Sequence, residues 1–461
     1  MATSYQNSRG EQPFAPTANY CKNNNLQHQR PIAVDLFAGA GGMTLGFEQA
    51  GFDVLAAVEL DPIHASVHEY NFPFWKTICR SVSQTSAQEI REQSAIGDRD
   101  LDVVFGGPPC QGFSLMGKRD LSDARNSLVF DFLRLVLDLQ PKYFVLENVR
   151  GMTIGRQRQV LETVMKEFEQ HGYQVKNPQV LNAANYGVPQ NRQRLFLIGC
   201  RRSFTLPEYP EAKTSFAQSS AQKSPPQTQL KRDLYLPNVP TVAEAIGDLP
   251  EVNHYPELKL RDWVVANYGQ PSEYASKLRT PALVTDNYAY KREYPAELLT
   301  CSRRTNHTAQ TIMRFAQTVP GKSDRISHFH RLDLAGICTT LRAGTASNRG
   351  AFTSPRPIHP VTPRCITVRE AARLHSYPDW FMFHATKWHG FRQIGNSVPP
   401  LLAQAIAQEI IKALEVVPIK PQQQFHLVPT ELLQFKMTQA EQYHHLETRA
   451  IARRSIVKPI V

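Results

Sequence analysis

The segment Ile32-Ala33-Val34-Asp35-Leu36-Phe37-Ala38-Gly39-Ala40-Gly41-Gly42 decides the fold of this 461-residue chain. Its first six residues are almost all apolar, which predicts a buried strand, and the glycines that follow predict a turn. Residues 43–50 then show a helical pattern that Gly51 would end. Strand, glycine turn and helix together open a nucleotide-type βαβ unit, in which a ligand lies against bare backbone.

A second apolar run, residues 54–58, ends in Glu59, which follows Gly39 by 20 residues. An acid at that offset, at the tip of the second strand, can reach a ribose diol. The glycine spacing is not GxGxxG, which disfavours a dinucleotide, and no Gly-Lys-Ser/Thr follows, which excludes a P-loop. The sequence therefore favours an adenosine-containing ligand without a pyrophosphate.

Apolar strand-like runs and helical patterns alternate up to about residue 200. This alternation predicts an α/β fold with a doubly wound, mostly parallel sheet and helices on both faces. Ser397 is predicted to cap the last helix. Further strands are predicted at residues 101–105, 143–146, 173–181 and 195–199. Further helices are predicted at residues 62–70, 124–139, 156–171, 368–374 and 401–416.

The segment Gly106-Gly107-Pro108-Pro109-Cys110-Gln111-Gly112-Phe113-Ser114 places a cysteine in a turn directly after a predicted strand. Ligands bind at that end of open α/β sheets, and the two prolines restrict the backbone that carries the sulfur. An isolated cysteine is more often buried and inert. Here Glu59, Cys110 and Glu147 all follow predicted parallel strands, so we expect them at one edge of the sheet.

The chain has 52 Lys and Arg against 41 Asp and Glu, a formal net charge of +11, which makes a polyanionic partner plausible. No apolar run approaches the roughly 18 residues of a membrane span. The seven cysteines are dispersed without a CxxC pair, which argues against a structural zinc site and fits a reducing compartment. We therefore predict a cytoplasmic protein without a metal.

The composition divides the chain into segments. Residues 1–30 are polar and are predicted to form a disordered leader. Residues 31–200 hold the first part of the predicted α/β domain, the candidate catalytic domain that carries Cys110, and residues 361–417 return to it. Residues 201–360 are irregular and basic and start with a linker. The remaining residues, 418–461, are predicted to be a basic tail.

Seven motifs follow one another along the chain: Asp35-Leu36-Phe37-Ala38-Gly39-Ala40-Gly41-Gly42, Glu59-Leu60-Asp61, Gly107-Pro108-Pro109-Cys110-Gln111, Glu147-Asn148-Val149, Gln190-Asn191-Arg192-Gln193-Arg194, Arg369-Glu370-Ala371-Ala372-Arg373-Leu374 and Gly395-Asn396-Ser397-Val398. By these motifs and their order the chain resembles the DNA (cytosine-5) methyltransferases of the bacterial modification type. The enzymes of this family use S-adenosylmethionine. In this family a target-recognition domain lies between the fifth and sixth motifs, where the irregular basic region of this chain lies.

The resemblance also implies roles for single residues. One position departs from the family, because Ser81 stands where an acid usually holds the adenine amino group. The implied catalytic residues are Cys110, Glu147, Arg192 and Arg194. The implied cofactor-binding residues are Phe37, Gly39, Gly41, Glu59, Leu60, Ser81, Val82, Gly106, Pro108, Asn396, Ser397 and Val398. The implied DNA contacts are Gln111, Ser114, Lys118, Arg119, Thr340 and Leu341, and the loop 112–126 is expected to close over the DNA.

The implied reaction is methyl transfer from S-adenosylmethionine to carbon 5 of a flipped-out cytosine in a specific duplex DNA sequence, through a covalent cysteine adduct at carbon 6. A tRNA cytosine-5 methyltransferase built on the same motifs remains the alternative. A binding protein without catalysis and a NAD-dependent oxidoreductase are more distant alternatives. The enzyme is expected to belong to a restriction–modification system or to be an orphan modification enzyme. Its expected partners are double-stranded DNA and, in the first case, a cognate restriction endonuclease as a functional counterpart. It is expected to be a monomer associated with the nucleoid.

Overall fold

The computed structural model of the protein describes residues 30–109, 128–216, 236–280, 284–344, 356–426 and 431–447. Strands and helices alternate in the first half of the chain, as the sequence predicts. The elements up to residue 201 are β1 Ile32–Leu36, α1 Gly42–Ala50, β2 Asp53–Glu59, α2 Pro62–Asn71, β3 Lys76–Cys79, α3 Ala87–Gln93, β4 Val103–Gly106, α4 Leu128–Leu139, β5 Tyr143–Val149, α5 Gly155–Gln170, β6 Tyr173–Val175, β7 Gln179–Asn182, β8 Gln190–Asn191 and β9 Gln193–Arg201.

One eight-stranded sheet forms the centre, in the order β3-β2-β1-β4-β5-β9-β6, with β7 also paired to β9. The pairings among β1 to β5 are parallel, and β9 runs antiparallel to β5, β6 and β7. The predicted mostly parallel α/β sheet is thus confirmed. The strand order reverses between β1 and β4, so right-handed crossovers place the helices on opposite faces on either side of this point. Ligands of such sheets bind in the crevice at this reversal.

The central strands are buried on both faces, which explains why they are continuously apolar in sequence. Helix α1 packs closely against a late helix, Pro400–Ala413, at Gly46. A β-carbon at Gly46 would lie 2.4 Å from the Ala403 Cβ and 2.7 Å from the Pro400 carbonyl oxygen. Only glycine allows this approach, which joins α1 to this late helix.

The described residues between 202 and 367 form short elements, and longer helices return afterwards. The later elements are α6 Val242–Ile246, β10 Val264–Val265, α7 Glu273–Arg279, β11 Lys291–Glu293, β12 Leu298–Leu299, α8 Ala309–Gln317, β13 Cys338–Thr339, α9 Val368–Arg373, α10 Lys387–Asn396, α11 Pro400–Ala413, β14 Gln424–His426 and α12 Met437–Tyr443. No helix in the described ranges is both long enough and apolar enough to cross a membrane.

Buried charge pairs fix the irregular region to the sheet domain. Arg292 of β11 forms a bidentate pair with Glu48 of α1, with 2.9 Å between Nη2 and Oε2, and both side chains are fully buried. Arg373 of α9 reaches Asp248, with 3.2 Å between Nη1 and Oδ1. A buried charge is costly unless it is paired, so each pair depends on both partners.

Two local predictions from the sequence are wrong. Residues 173–181 form two short strands rather than one, because Pro178 between them cannot donate a ladder hydrogen bond. Ser397 does not cap α11, which starts at Pro400 with Pro399 at its N-cap. Ser397 instead ends α10, where its N–H donates to the carbonyls of Gln393 and Ile394.

The C-terminal residues pack on the sheet domain over the part that is described. Strand β14 pairs in parallel with β11. Residues Glu431–Gln434 form a 3₁₀ turn, and this turn and α12 both contact α2. The segment predicted only as a basic tail therefore contributes ordered structure next to the second βαβ unit.

Candidate active site

The carboxyl ends of β1 and β2 hold a partly buried carboxylate in a fixed orientation. The Glu59 oxygens accept hydrogen bonds from the backbone N–H groups of Gly39 and Asp61, each at 2.8 Å. Burial raises the pKa of Glu59, and these backbone bonds and His64 oppose the rise. The carboxylate is held ready to accept hydrogen bonds, as a ribose diol requires.

The loop after β1 has a strained backbone and open space before it. Gly39 and Gly41 have φ values of +59° and +100°, which glycine adopts freely. Phe37 has a φ of +64°, a conformation rare for bulky residues and concentrated at ligand sites. No atom lies within 4 Å of where a β-carbon on Gly39 would be. A ligand can therefore approach the backbone here, so the residues present fit an adenosine-bearing cofactor.

A buried hydrogen-bond chain supports this loop and was not predicted from the sequence. The Thr44 hydroxyl donates to Asp35 Oδ2 at 2.6 Å and lies 3.0 Å from His68 Nε2. Burial lowers the pKa of His68 to about 3, so its ring is neutral. These hydrogen bonds fix the start of α1 against β1 and α2, on both sides of the glycine turn.

The last of the seven motifs, Gly395-Asn396-Ser397-Val398, lies beside the same loop. A β-carbon on Gly42 would lie 2.6 Å from the Val398 carbonyl oxygen and 2.8 Å from the Ser397 Cβ. Val398 is buried, whereas Asn396 is exposed. The structure thus brings residues more than 350 positions apart in sequence to the crevice between β1 and β4.

Glu147 and Arg194 form an ion pair at the carboxyl end of β5. Arg194 Nε lies 2.9 Å from Glu147 Oε1, and little of either side chain is exposed. The antiparallel register of β5 and β9, which pairs Val149 with Arg194, brings the two together. Burial raises the pKa of Glu147, with Arg194 and then Arg192 opposing the rise. A carboxyl group with a raised pKa is suited to proton transfer near neutral pH.

The segment that leads to Cys110 lies against Glu147 and its neighbour Asn148. Asn148 Nδ2 donates to the Pro108 carbonyl at 3.0 Å, and a β-carbon on Gly107 would lie 2.6 Å from Glu147 Oε2. Gly106 ends β4, the neighbour of β5. Cys110, Gln111, Ser114, Lys118, Arg119 and the loop 112–126 lie outside the described residues.

Arg192, which the resemblance implies to be catalytic, lies in the interior of the protein. Its guanidinium is fully buried and donates to the carbonyls of Leu341, Gly395 and Ser397, at 2.7, 2.8 and 2.7 Å. These contacts join the irregular region to the turn after α10. They favour a structural role rather than a contact with a base or a phosphate.

Replacing Arg192 with methionine is expected to lower the free energy of unfolding by about 2–4 kcal/mol, because three buried carbonyls lose their donors. Urea unfolding followed by circular dichroism measures this. Arg158→Met, which breaks an exposed pair with Glu162, serves as the control and should change the value by less than about 0.5 kcal/mol. Equal effects of the two changes would contradict this role of Arg192.

The two predicted DNA contacts at residues 340 and 341 differ in the structure. The Leu341 side chain is buried, and its N–H donates to Gln190 Oε1 at 3.1 Å, which contradicts a DNA contact by this side chain. The half-buried Thr340 donates its hydroxyl to the Asn191 carbonyl at 2.6 Å. Both residues instead attach the irregular region to β8 beside Arg192.

Leu60, Ser81 and Val82 follow β2 and β3. Leu60 is exposed, Val82 is buried, and the Ser81 hydroxyl lies 2.8 Å from the Ser83 hydroxyl. Leu60 and Ser81 line one open cavity of about 1100 Å³. Among the described residues, no cluster of three His, Cys, Asp or Glu side chains is placed to hold a metal ion.

The fold and this site define an α/β transferase with its ligand site at the carboxyl edge of the sheet. The sequence model of the family described as C-5 cytosine-specific DNA methylase matches residues 32–412. The chain belongs to this family. It is therefore a cytosine-5 DNA methyltransferase, of a family that depends on S-adenosylmethionine, and the tRNA alternative is not favoured.

Individual relatives agree with the family. The type II methyltransferase M.XorII of Xanthomonas oryzae pv. oryzae is 52% identical over 92% of this chain and 95% of its own. The type II methyltransferase M.DdeI of Desulfomicrobium norvegicum is 32% identical over 82% and 88%. The crystal structure of an E. coli prophage protein described as a DNA modification methyltransferase superposes with a TM-score of 0.63 at 32% identity, covering 84% of this chain and 99% of its own.

Proposed function

We propose that this enzyme binds S-adenosylmethionine and methylates cytosine within one specific duplex DNA sequence, with Cys110 as the nucleophile. The observation that carries the proposal is the Glu147–Arg194 ion pair beside the segment Gly106–Pro108 that leads to Cys110. This arrangement places a buried acid next to the strand end from which a thiolate would act. The bound cofactor would supply a methyl group on a sulfonium.

Cys110 activates the base by adding to it. Carbon 5 of cytosine is a poor nucleophile, and addition of the thiolate to carbon 6 gives the ring enamine character. Carbon 5 would then bond to the methyl group while the methyl–sulfur bond breaks, with the electron pair of that bond left on sulfur. A base then removes the carbon-5 proton, the carbon 6–sulfur bond breaks and the thiolate leaves. Cysteine suits both steps because it is strongly nucleophilic and leaves readily.

Glu147 and Arg194 stabilise the addition. Protonation of ring nitrogen 3 by the Glu147 carboxyl group would offset the negative charge that enters the ring. Arg194 holds this carboxyl group in place through its Nε and can also contact the base oxygen O2. Both residues are catalytic in this proposal, whereas Arg192 is a positioning residue.

The cofactor would lie in the crevice between β1 and β4. Glu59 would accept hydrogen bonds from the ribose hydroxyls, and the backbone of Gly39 and Gly41 would contact the ligand closely. Leu60, Ser81 and Val82 would face the adenine. The remaining proposed contacts are Phe37, Gly106, Pro108, Asn396, Ser397 and Val398.

Carbon 6 is inaccessible within a duplex, so the target cytosine must leave the base stack, at a cost of a few kcal/mol. Residues 201–360, with their buried attachment to the sheet domain, would read the DNA sequence as the target-recognition domain. Direct contacts with base edges provide such specificity, while basic side chains contact phosphates. Gln111, Ser114, Lys118, Arg119 and Thr340 remain proposed DNA contacts.

The type II methyltransferases among the relatives support the proposal that this enzyme is the modification enzyme of a restriction–modification system. In such a system a cognate endonuclease would act on the same DNA sequence without forming a complex with the methyltransferase. One proposed catalytic site and one proposed reading region lie in a single chain, which supports a monomer acting on DNA in the cytoplasm.

Transfer of labelled methyl from S-adenosylmethionine to duplex DNA, with total tRNA in parallel, tests the proposed function. We expect label on DNA only, confined to one short sequence that bisulfite sequencing identifies. Label on tRNA alone, or on adenine rather than cytosine, would overturn the proposal. Cofactor binding without label on either nucleic acid would leave a binding protein that lacks catalysis.

A further inference from the structure

The residues Glu431–Glu447, here called the C-terminal arm, lie on α2. This helix directly follows Glu59 and Leu60, the proposed ribose and adenine contacts. The arm begins with the 3₁₀ turn Glu431–Gln434 and continues into α12, and both contact α2. The arm therefore packs against the helix that follows the proposed cofactor residues.

Leu433 connects the arm to the cofactor loop itself. Its side chain is 6% exposed and packs in a small apolar cluster with Ala40, Val67 and Tyr70. Ala40 lies between Gly39 and Gly41, the two residues with positive φ. The Leu433 carbonyl accepts a hydrogen bond from the Ala385 N–H at 2.8 Å, and this bond holds the Leu433 backbone in place. Leu433 thus supports the loop from behind, where a smaller side chain would leave a void.

Polar contacts hold the end of the arm. Tyr443 donates to Glu69 Oε1 at 2.7 Å, and His444 Nε2 lies 3.0 Å from the Ser66 hydroxyl. Burial lowers the pKa of His444 to about 4, so the contact with Ser66 is a neutral hydrogen bond at physiological pH. The arm is therefore attached to α2 at Ser66 and at Glu69, which lie three residues apart on the helix.

The arm and the proposed adenine contacts line the same cavity. The cavity of about 1100 Å³ is lined by Leu60 and Ser81 and also by the arm residues 443–447. The Nε2 of His444 lies 3.0 Å from the Ser66 hydroxyl, and this contact fixes the ring at the cavity.

We infer that the C-terminal arm is part of the S-adenosylmethionine site: Leu433 supports the cofactor loop, and residues 444–447 enclose the adenosine end. This inference rests on the proposed cofactor binding. It makes the last described residues of the chain a determinant of cofactor affinity. They have no part in methyl transfer, because the contacts lie at the adenosine end rather than beside Glu147.

Isothermal titration of S-adenosylmethionine and of S-adenosylhomocysteine into the full chain tests the inference. Leu433→Ala and His444→Ala are each expected to weaken the binding of both ligands by about 3- to 10-fold, because both ligands carry the same adenosine. The kcat at saturating cofactor and the Kd for duplex DNA should change less than twofold. A binding loss with kcat preserved separates the arm from the catalytic residues.

Two matched controls separate a cofactor contact from a loss of stability. Leu258→Ala removes an equally buried leucine from a separate cluster in the irregular region, and His171→Ala removes an exposed histidine at the end of α5. Both should leave cofactor binding unchanged, although Leu258→Ala lowers the Tm. Unchanged binding in both arm variants, or an equal loss in Leu258→Ala, would overturn the inference.

The wild-type titration distinguishes this inference from the proposed function. Absence of S-adenosylmethionine binding by the wild-type chain would overturn both. Binding and DNA methylation by the wild type, with arm variants that bind normally, would overturn only the role of the arm. Weakened binding in the arm variants of a chain that binds the cofactor but methylates no DNA would support the arm and contradict the proposed function.

Discussion

Glu147→Gln is expected to lower kcat for DNA methylation by about a thousandfold, within the range that general acid–base groups contribute. Glutamine keeps the size and one hydrogen-bonding oxygen of the side chain but cannot transfer a proton to the cytosine ring. The carboxyl group is buried beside Gly107 and Arg194, so no water-exposed acid can replace it. Single-turnover methylation at saturating cofactor and DNA measures this rate.

The pH dependence provides a second readout for Glu147. Burial raises the pKa of its carboxyl group, so the protonated form persists to higher pH than for an exposed glutamate. If the protonated form is the active one, the wild-type kcat/KM falls as the pH rises above this pKa, and Glu147→Gln lacks this decrease. Glu162→Gln, at an exposed pair on α5, should behave as wild type. A full rate in Glu147→Gln would exclude the acid role.

Cys110→Ser is expected to lower methyl transfer by at least about a thousandfold, as removal of an enzymatic nucleophile does. A hydroxyl has a far higher pKa than a thiol, so serine supplies almost no anion for addition to carbon 6. Labelled methyl transfer to duplex DNA measures the loss. Cofactor binding should be unaffected, because the substitution changes a single atom.

A covalent readout accompanies the Cys110 prediction. DNA with 5-fluorocytosine at the target position has no proton on carbon 5 to remove, so the wild-type enzyme should remain attached to it after denaturation. Cys110→Ser should form no such adduct. The control is Cys200→Ser, since burial raises the pKa of the Cys200 thiol to about 11 and this residue lies at the far end of β9. An adduct in Cys110→Ser would assign the nucleophile to another residue.

The sequence predicts the cofactor side of the site well, because the relevant geometry is local. A strand, a glycine turn and a helix necessarily bring the loop and the tip of the second strand together, and Glu59 does contact the Gly39 N–H. The same reasoning places Glu147 at the shared edge of the parallel strands. Apolar runs and turn residues contain this information directly.

The sequence does not predict contacts between distant segments. Arg192 meets carbonyls 149 and 203 residues away, and no local pattern distinguishes this arginine from its neighbour Arg194. The buried Leu341 and the misassigned cap at Ser397 have the same cause, since tertiary packing decided both. The adjacent leucines Leu432-Leu433 were the available signal for the C-terminal arm.

The buried pairs Arg292–Glu48 and Arg373–Asp248 limit how sequence preference can change during evolution. An incoming reading region that lacked Arg292 would leave Glu48 charged and unpaired in the interior, at a cost of about 3–5 kcal/mol. This cost is a large fraction of the stability of a typical domain, so such a hybrid would be selected against for its stability before its specificity. New DNA sequence specificities among these proteins should therefore arise by point substitutions in exposed loops. Exchange of the whole reading region between relatives should be rarer.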